Sequence, residues 1–325
     1  MLTDKKISVV VICYNDGGSV QEMYRRVREQ MEKITPDWEL VYVNDASPDD
    51  AHDRLKEIAE KDKRLIVITH ARNFGGQNAY TSGLSYCTGD AAITLDGDIQ
   101  DPPEMFPDLV KKWLEGYDIV YGARTSREGS IVRRIFYKIF YRIFALLSVV
   151  KMPLDASDFA ITDRKVIDVL NDMPEQGRFI RGMRAYTGYK AIGIPYKRLE
   201  RFSGESNLSF WGNVYWAKLG IFSYSYKPLE MISYFAMIIT GLSALAIVFY
   251  IILNFFVPAP RGFMTILIAV LFLGSVQLLS LSIIGEYTAR IFEEVKNRPK
   301  FVRKEILNDY RGWMKDKDKT SYHGS

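Results

Sequence analysis

Ala91-Ala92-Ile93-Thr94-Leu95-Asp96-Gly97-Asp98-Ile99-Gln100 is the stretch on which the fold turns. The run from Ala91 to Leu95 reads as a buried strand, and it ends by delivering two carboxylates and an amide to the rim of a sheet. Gly97 lets the backbone fold tightly between the acids. Carboxylates two apart on such a turn suit a hard divalent ion that also keeps phosphate oxygens and waters as ligands. Taken alone, the same turn reads as a solvated acidic bend. Its surroundings decide between the two.

Upstream, Ile7-Ser8-Val9-Val10-Val11-Ile12-Cys13 is a β-branched run of strand length, ended by the turn residues Tyr14-Asn15-Asp16-Gly17-Gly18. From Ser19 to Ile34, the positions Met23, Val27, Gln30, Met31 and Ile34 recur at helical spacing. Glu39–Val43 predicts a second strand, stopping at Asn44-Asp45-Ala46-Ser47-Pro48-Asp49-Asp50. A helix over about 50–62, a strand at Leu65–Thr69, a helix near 76–87 and a further strand at Ile119–Ala123 complete the pattern. Strands alternating with helices imply βαβ units and a mostly parallel sheet. Ligands on such sheets bind beyond the carboxyl ends of the strands. Tyr14-Asn15, Asp45, Arg72-Asn73 and Asp96–Asp98 all fall at such ends, which points to a nucleotide site. No Gly-x-Gly-x-x-Gly follows the first strand and no Gly-Lys-Ser/Thr loop is present, which argues against a dinucleotide enzyme and a P-loop NTPase. Cys13 and Cys87 are the only cysteines, so neither a disulfide framework nor a Cys-rich metal site is expected.

Val9–Asn15, Val43-Asn44-Asp45-Ala46-Ser47, Arg72-Asn73-Phe74-Gly75 and Asp96–Glu104 together resemble the ordered motifs of family 2 glycosyltransferases with a GT-A fold. The nearest resemblance is to the polyprenyl-phosphate branch, which includes dolichyl-phosphate mannose synthases and bactoprenol glucosyltransferases. It covers about 220 residues, with one departure at Asn44, where many relatives carry a second acid. The resemblance implies a nucleotide-sugar site of Tyr14, Asn15, Asp45, Asn73, Asp96 and Arg201, with Asp45 on the base and Asp96 near ribose and phosphates. It further implies Mg2+ or Mn2+ held by Asp98, with Gln100 and Asp96, on the diphosphate. A metal suits this chemistry, because charge builds on the leaving diphosphate.

After Arg124, a basic loop leads to Arg134, Lys138 and Arg142, which recur every four residues beside the apolar rows Ile131-Ile135-Ile139-Ile143 and Val132-Phe136-Phe140-Phe144. Between Arg124 and Arg142 there are six Lys/Arg against the single Glu128. A wide apolar face with a basic flank predicts an interfacial helix at about 131–150. Packing in the core with the basic edge in water is the competing reading, and no base-reading motif accompanies the helix to suggest nucleic acid. By the resemblance, Arg124 and Arg134, with Arg127, bind the acceptor phosphate. Asp155-Ala156-Ser157-Asp158-Phe159 resembles a further motif of the branch, which adds Asp158 to Asp98 as a catalytic candidate. A phosphate monoester is already largely dianionic at pH 7 (second pKa about 6), so Asp158 is expected to position the acceptor more than deprotonate it. A helix N-cap is the plainer reading of Asp158. Arg201-Phe202-Ser203-Gly204-Glu205-Ser206 reads as a loop over the site or a plain surface loop.

Residues 231–257 and 262–284 contain no Asp, Glu, Lys or Arg. Each exceeds the roughly 20 residues that cross a bilayer, so a transmembrane hairpin is expected. The aromatic stretch before Lys227-Pro228 resembles an interfacial belt, and the tail from Ala289 to Ser325 holds ten Lys/Arg against six Asp/Glu. The N-terminus shows no signal-peptide pattern. The expected organisation is a GT-A, Rossmann-like α/β catalytic domain at 1–228, a two-helix transmembrane hairpin at 229–288 and a basic tail at 289–325. Catalytic domain and both termini are expected on the cytoplasmic side of a membrane, with a homo-oligomer through small residues of the spans. The expected reaction is inverting transfer of a hexose, UDP-glucose being the favoured donor, to a polyprenyl phosphate such as undecaprenyl phosphate. Mannosyl or amino-arabinosyl transfer is the alternative within the class. An inactive scaffold or a lipid-linked-sugar flippase is the alternative outside it.

Overall fold

The computed structural model describes residues 1–124, 156–199, 227–254 and 262–313. At its centre, β1 (Ile7–Cys13) pairs in parallel with β2 (Trp38–Asn44) on one side and β4 (Ala91–Asp96) on the other. β3 (Leu65–His70) extends the parallel set beyond β2. Every residue of β2 and β3 is buried, as expected of strands covered on both faces.

Period-2 alternation sorts these strands into two cores. Val9, Val11 and Leu40 face α1 (Val20–Ile34), α2 (Ala51–Lys61) and α4 (Phe106–Leu114). Val10, Val41 and Ile68 face α3 (Gly76–Tyr86), α5 (Arg164–Asp172) and α6 (Ile180–Tyr186). The result is a helix–sheet–helix sandwich. In α1 the buried positions Met23, Val27, Met31 and Ile34 are those that the spacing selects.

β6 (Ala156–Asp163) runs antiparallel between β4 and β5 (Ile119–Arg124), and β7 (Ala191–Tyr196) pairs with β5 in parallel. The reading of Asp158 as a helix N-cap is corrected by this strand. Asp163 is the cap of α5, and its carboxylate accepts the Lys165 N–H. The full order is β7-β5-β6-β4-β1-β2-β3-β8.

β8 (Arg303–Leu307) comes from the segment expected as a free basic tail, and it pairs antiparallel with β3. Its charged residues mark it as an edge strand, where side chains that discourage further pairing are the rule. The part of 289–325 around β8 thus belongs to the same sheet as β1–β4.

Between β7 and β8 lie two long helices, α7 (Lys227–Asn254) and α8 (Phe263–Lys296). Exposed on them are Phe235, Ile238, Leu242, Leu245, Val270, Leu278, Leu279 and Leu281. Counted over the described residues, no helix is long and apolar enough to cross a membrane. Helices thus occupy both long apolar runs; the expectation that they cross a bilayer rests on the sequence. The interfacial helix expected at 131–150 lies outside the described residues, as do Arg127, Arg134 and Arg201.

Candidate active site

The carboxyl ends of β1, β2, β3 and β4 come side by side, with Ile12 opposite Asp96 and Cys13 opposite Asn44. The loops that leave these ends are stitched together. The Asn15 N–H donates to Ser47 Oγ at 2.7 Å, and the Gly17 N–H donates to Asp49 at 2.7 Å. Asn44 Oδ1 accepts the Ser47 N–H at 2.8 Å, closing the turn locally. The neutral Asn44 thus serves as a brace for the turn. Asn15 and Ala46 take left-handed backbones, and Tyr14 is left exposed at the rim.

Asp45 is buried, and its carboxylate is engaged within the protein. It accepts the backbone N–H groups of Phe74 at 2.9 Å and Gly75 at 2.8 Å, and lies 2.7 Å from Nδ1 of His70. Gly75, at φ 89°, adopts a backbone open in practice only to glycine. Asn73 Oδ1 takes a second hydrogen bond from the same Gly75 N–H at 2.9 Å. Asp45 and Asn73, expected on the nucleotide, therefore build the Arg72–Gly75 turn at the sheet edge.

The acidic turn after β4 is tight because the Gly97 N–H donates to the Ile12 carbonyl at 2.8 Å, and a Cβ at Gly97 would meet that same oxygen at 2.8 Å. Ile99 is held at φ 62°, uncommon for a β-branched side chain. This conformation sends Asp98 and Asp101 inward, where they are 3% and 1% exposed. Arg198 spans the cluster: Nη2 is 3.6 Å from Asp98 and 3.8 Å from Asp96, and Nε is 3.6 Å from Asp101. Tyr196 donates its hydroxyl to Asp101, and Arg124 approaches Asp101 at 4.0 Å. Tyr80 donates to Asp96 at 2.7 Å.

Burial first, then the carboxylates of Asp98 and Asp101, push Asp96 up to about 7. Burial likewise raises Asp101, against the pull of Arg124 and Arg198. Three carboxylates meet the two guanidinium groups of Arg198 and Arg124 here, an arrangement that fits a site for a cation. Among the described residues no group of three or more His, Cys, Asp or Glu side chains is placed to hold a metal by itself. An ion at Asp96 and Asp98 would complete its shell from a ligand's oxygens and water. Gln100, expected at the metal with Asp98 and Asp96, stands on the same turn. Its amide nitrogen donates to the Leu199 carbonyl at 3.2 Å, and its backbone carbonyl accepts the Leu199 N–H at 3.0 Å. Gln100 thus ties the segment that carries Arg198 to the acidic turn.

Asp158 lies on β6 next to this cluster. Its Oδ2 accepts from Gln77 at 3.3 Å, while Oδ1 faces Arg181 at 3.3 Å and Arg184 at 3.8 Å. Gln77 follows directly on the Arg72–Gly76 turn, so one amide connects the donor-side loop to Asp158. The structure thus gathers Asp96, Asp98, Arg124 and Asp158 around one edge. Asp101, Tyr196, Arg198, Gln77, Tyr80 and His70 are partners that the sequence reading leaves without a role. Asp101 sits inside a quoted motif and Arg198 beside the Arg201 loop, so position alone was the available signal.

The model of glycosyl transferase family 2 matches residues 8–170. An uncharacterized glycosyltransferase of Synechocystis is 37% identical over 301 residues, covering 91% of this chain and 94% of the relative. The SfII prophage-derived bactoprenol glucosyl transferase of Shigella flexneri is 34% identical over 310 residues, covering 94% of this chain and 99% of the relative. A mannosyltransferase from Pyrobaculum calidifontis, solved with GDP-Man and Mn2+, superposes at a TM-score of 0.43 with 16% identity over 91% of this chain and 87% of that one. With an α/β sheet of this order and relatives matched over nearly their whole length, the chain belongs to glycosyl transferase family 2.

Proposed function

We propose that the protein transfers a hexose, with inversion, from a nucleotide diphosphate sugar to a polyprenyl phosphate. UDP-glucose is the favoured donor and an undecaprenyl-type phosphate the favoured acceptor. The observation that carries this reading is the convergence of Asp96, Asp98 and Asp101 with Arg198 at the carboxyl edge of the sheet, beside Asp158. Support for the acceptor comes from the match to a bactoprenol glucosyl transferase over 94% of this chain.

Asp98 and Asp96 would hold Mg2+ or Mn2+, which when bound neutralises charge on the leaving diphosphate. Tyr14 and Asn15 would line the nucleotide, on a loop held by Ser47 and Asp49, with Asp45 and Asn73 beside them on the Arg72–Gly75 turn. Asp158 orients the acceptor phosphate, whose oxygen attacks the anomeric carbon as the nucleoside diphosphate departs from the opposite side. Arg124, with Arg127 and Arg134 from the basic segment, would attract that phosphate, and Arg201 would meet the diphosphate. The apolar runs 231–257 and 262–284 and the exposed side chains on α7 and α8 support anchoring in a bilayer, where the acceptor resides. In this reading the catalytic domain faces the cytoplasm.

The test is transfer of radiolabel from a panel of UDP- and GDP-sugars to undecaprenyl phosphate by the full chain in detergent, with and without EDTA. Labelled lipid from one donor, lost on chelation, supports the reaction and names the sugar. No labelled lipid from any donor overturns it.

A further inference from the structure

On the face of the sheet covered by α6, a cavity of about 160 Å3 opens beside β5, β6 and β7, lined by Ile119, Tyr121, Arg181, Arg184, Ala185 and Tyr189 among others. Arg184 is 4% exposed. Its Nη2 is used on the carbonyls of Ser157 at 3.1 Å and Asp158 at 3.4 Å, while Nη1 is buried with no hydrogen-bond partner among the described residues. Arg181 donates from Nη1 to the Ala156 carbonyl at 3.3 Å. Its Nε faces Asp158 at 3.3 Å without hydrogen-bond geometry.

Two guanidinium groups thus share the single carboxylate of Asp158. Burial lowers Arg184 to about 10, which still leaves it a cation at neutral pH. A buried donor of a charged group left without an acceptor is costly. A second anion at this place would relieve that cost.

We propose that this cavity binds a phosphate-type oxyanion carried on an apolar group, with Arg184 and Arg181 as its donors. Planar guanidinium forks pair with phosphate oxygens two at a time. Tyr121, Tyr189, Ile119 and Ala185 offer the carrier an apolar wall. A cavity near 150 Å3 admits a guest of about benzene size, so phosphate and the first carbons of its substituent fit. Identifying the carrier as the lipid acceptor rests on the function proposed above. The anion site itself rests only on the cavity and its donors.

The test measures binding of radiolabelled inorganic phosphate and of geranyl phosphate to the full chain in detergent by equilibrium dialysis, with UDP binding as the control for folding. The wild-type protein should bind geranyl phosphate, and Arg181→Gln with Arg184→Gln should weaken it about tenfold or more, at unchanged UDP affinity. Arg184→Lys should retain part of the binding. Ala185→Phe, which fills the cavity and leaves both charges, should abolish it. Inorganic phosphate bound as tightly as geranyl phosphate would assign the site to free phosphate, and geranyl phosphate alone would assign it to a lipid head group. Absence of binding by the wild type, or equal binding by wild type and the charge and cavity variants, overturns the proposal. Loss of sugar transfer with cavity binding intact would count against the proposed reaction and leave the cavity standing.

Discussion

Nδ1 of His70 lies 2.7 Å from Oδ1 of Asp45, and both side chains are buried. The same carboxylate takes the Phe74 and Gly75 N–H groups, so the imidazole braces the loop beyond β3. The imidazole ring stacks on Phe301, with centroids 5.6 Å apart and planes inclined by 4°. Phe301 follows α8, so the chain that returns from the long helices meets the loop beyond β3 through this ring and through the Val302 carbonyl, which accepts the Ala71 N–H at 2.9 Å. His70→Phe keeps a ring against Phe301 and removes the hydrogen bond. Expected are a stability loss of about 1–3 kcal/mol and a several-fold rise in KM for the nucleotide sugar, with the acceptor KM unchanged. Thermal melts and steady-state kinetics check this; an equal rise in both KM values would point to general loosening.

Among the described residues Arg198 is the cation nearest all three acids, within 3.8 Å of each. Removing it leaves like charges crowded at a buried rim, and carboxylates so placed repel one another. Arg198→Ala should therefore melt lower than wild type in EDTA and gain more from added Mg2+ or Mn2+. Melting curves across a metal titration decide the point. Identical metal responses would mean that Arg198 does not share its place with a divalent ion.

Gln77 joins two elements, donating to Asp158 at 3.3 Å and accepting the Ile180 N–H at 2.7 Å. If Asp158 orients the acceptor, Gln77→Ala should lower kcat while leaving nucleotide binding intact. Asp158→Asn alone should lower kcat further. Because the two side chains touch, their effects should be less than additive in the double variant. Additive losses would show that Gln77 acts elsewhere.

The parallel half of the sheet is legible in the sequence because its strands are buried on both faces and read as β-branched runs, Ile7–Cys13 and Leu65–His70 above all. β8 is not, because an edge strand with Arg303, Lys304 and Glu305 resembles a solvated tail until β3 is seen beside it. β6 is hidden for a related reason: Asp158 and Asp163 break the apolar alternation, one at the site and one as a helix cap. At the site, Asp96 and Asp98 stand where their motif placed them. Spacing does not reveal which way a carboxylate turns, however, so the bonds that Asp45 makes with His70, Phe74 and Gly75 could not be read from it. Asp101 and Arg198 meet only through the fold.

Gly97 lies under the acidic turn, where an added Cβ would come within 2.8 Å of the Ile12 carbonyl and 3.2 Å of the Tyr42 hydroxyl. Backbone oxygen in a central strand has little room to yield. Gly97→Ala should destabilise the protein by about 1–3 kcal/mol and displace both acids, so sugar transfer should fall more than the melting temperature suggests. Full transfer by a folded Gly97→Ala protein would show that the turn tolerates a shift.

Glu39 fastens the end of the chain to the sheet, and it offers a pH test. Its carboxylate accepts from Ser8 at 2.6 Å, from the Thr88 N–H at 2.6 Å and from the Tyr310 hydroxyl, with Lys6 at 3.1 Å. Burial opposes its charge, but the hydrogen bonds from Ser8, Tyr310 and Thr88, with Lys6, outweigh that and hold it below the usual glutamate range. A carboxylate depressed in the folded state contributes stability above its unfolded pKa, about 4.3, and loses it as pH falls through the lower folded value. Tyr310→Phe removes one donor and lets the folded value rise toward the unfolded one. The variant should therefore be less stable than wild type by about 1 kcal/mol at pH 7, with the gap narrowing on acidification below pH 4. Melting temperatures of both proteins from pH 7 to pH 3 give the comparison. A gap that stays constant across that range would assign the effect of Tyr310 to packing against Tyr86, its neighbour at 5.8 Å, and not to the charge on Glu39.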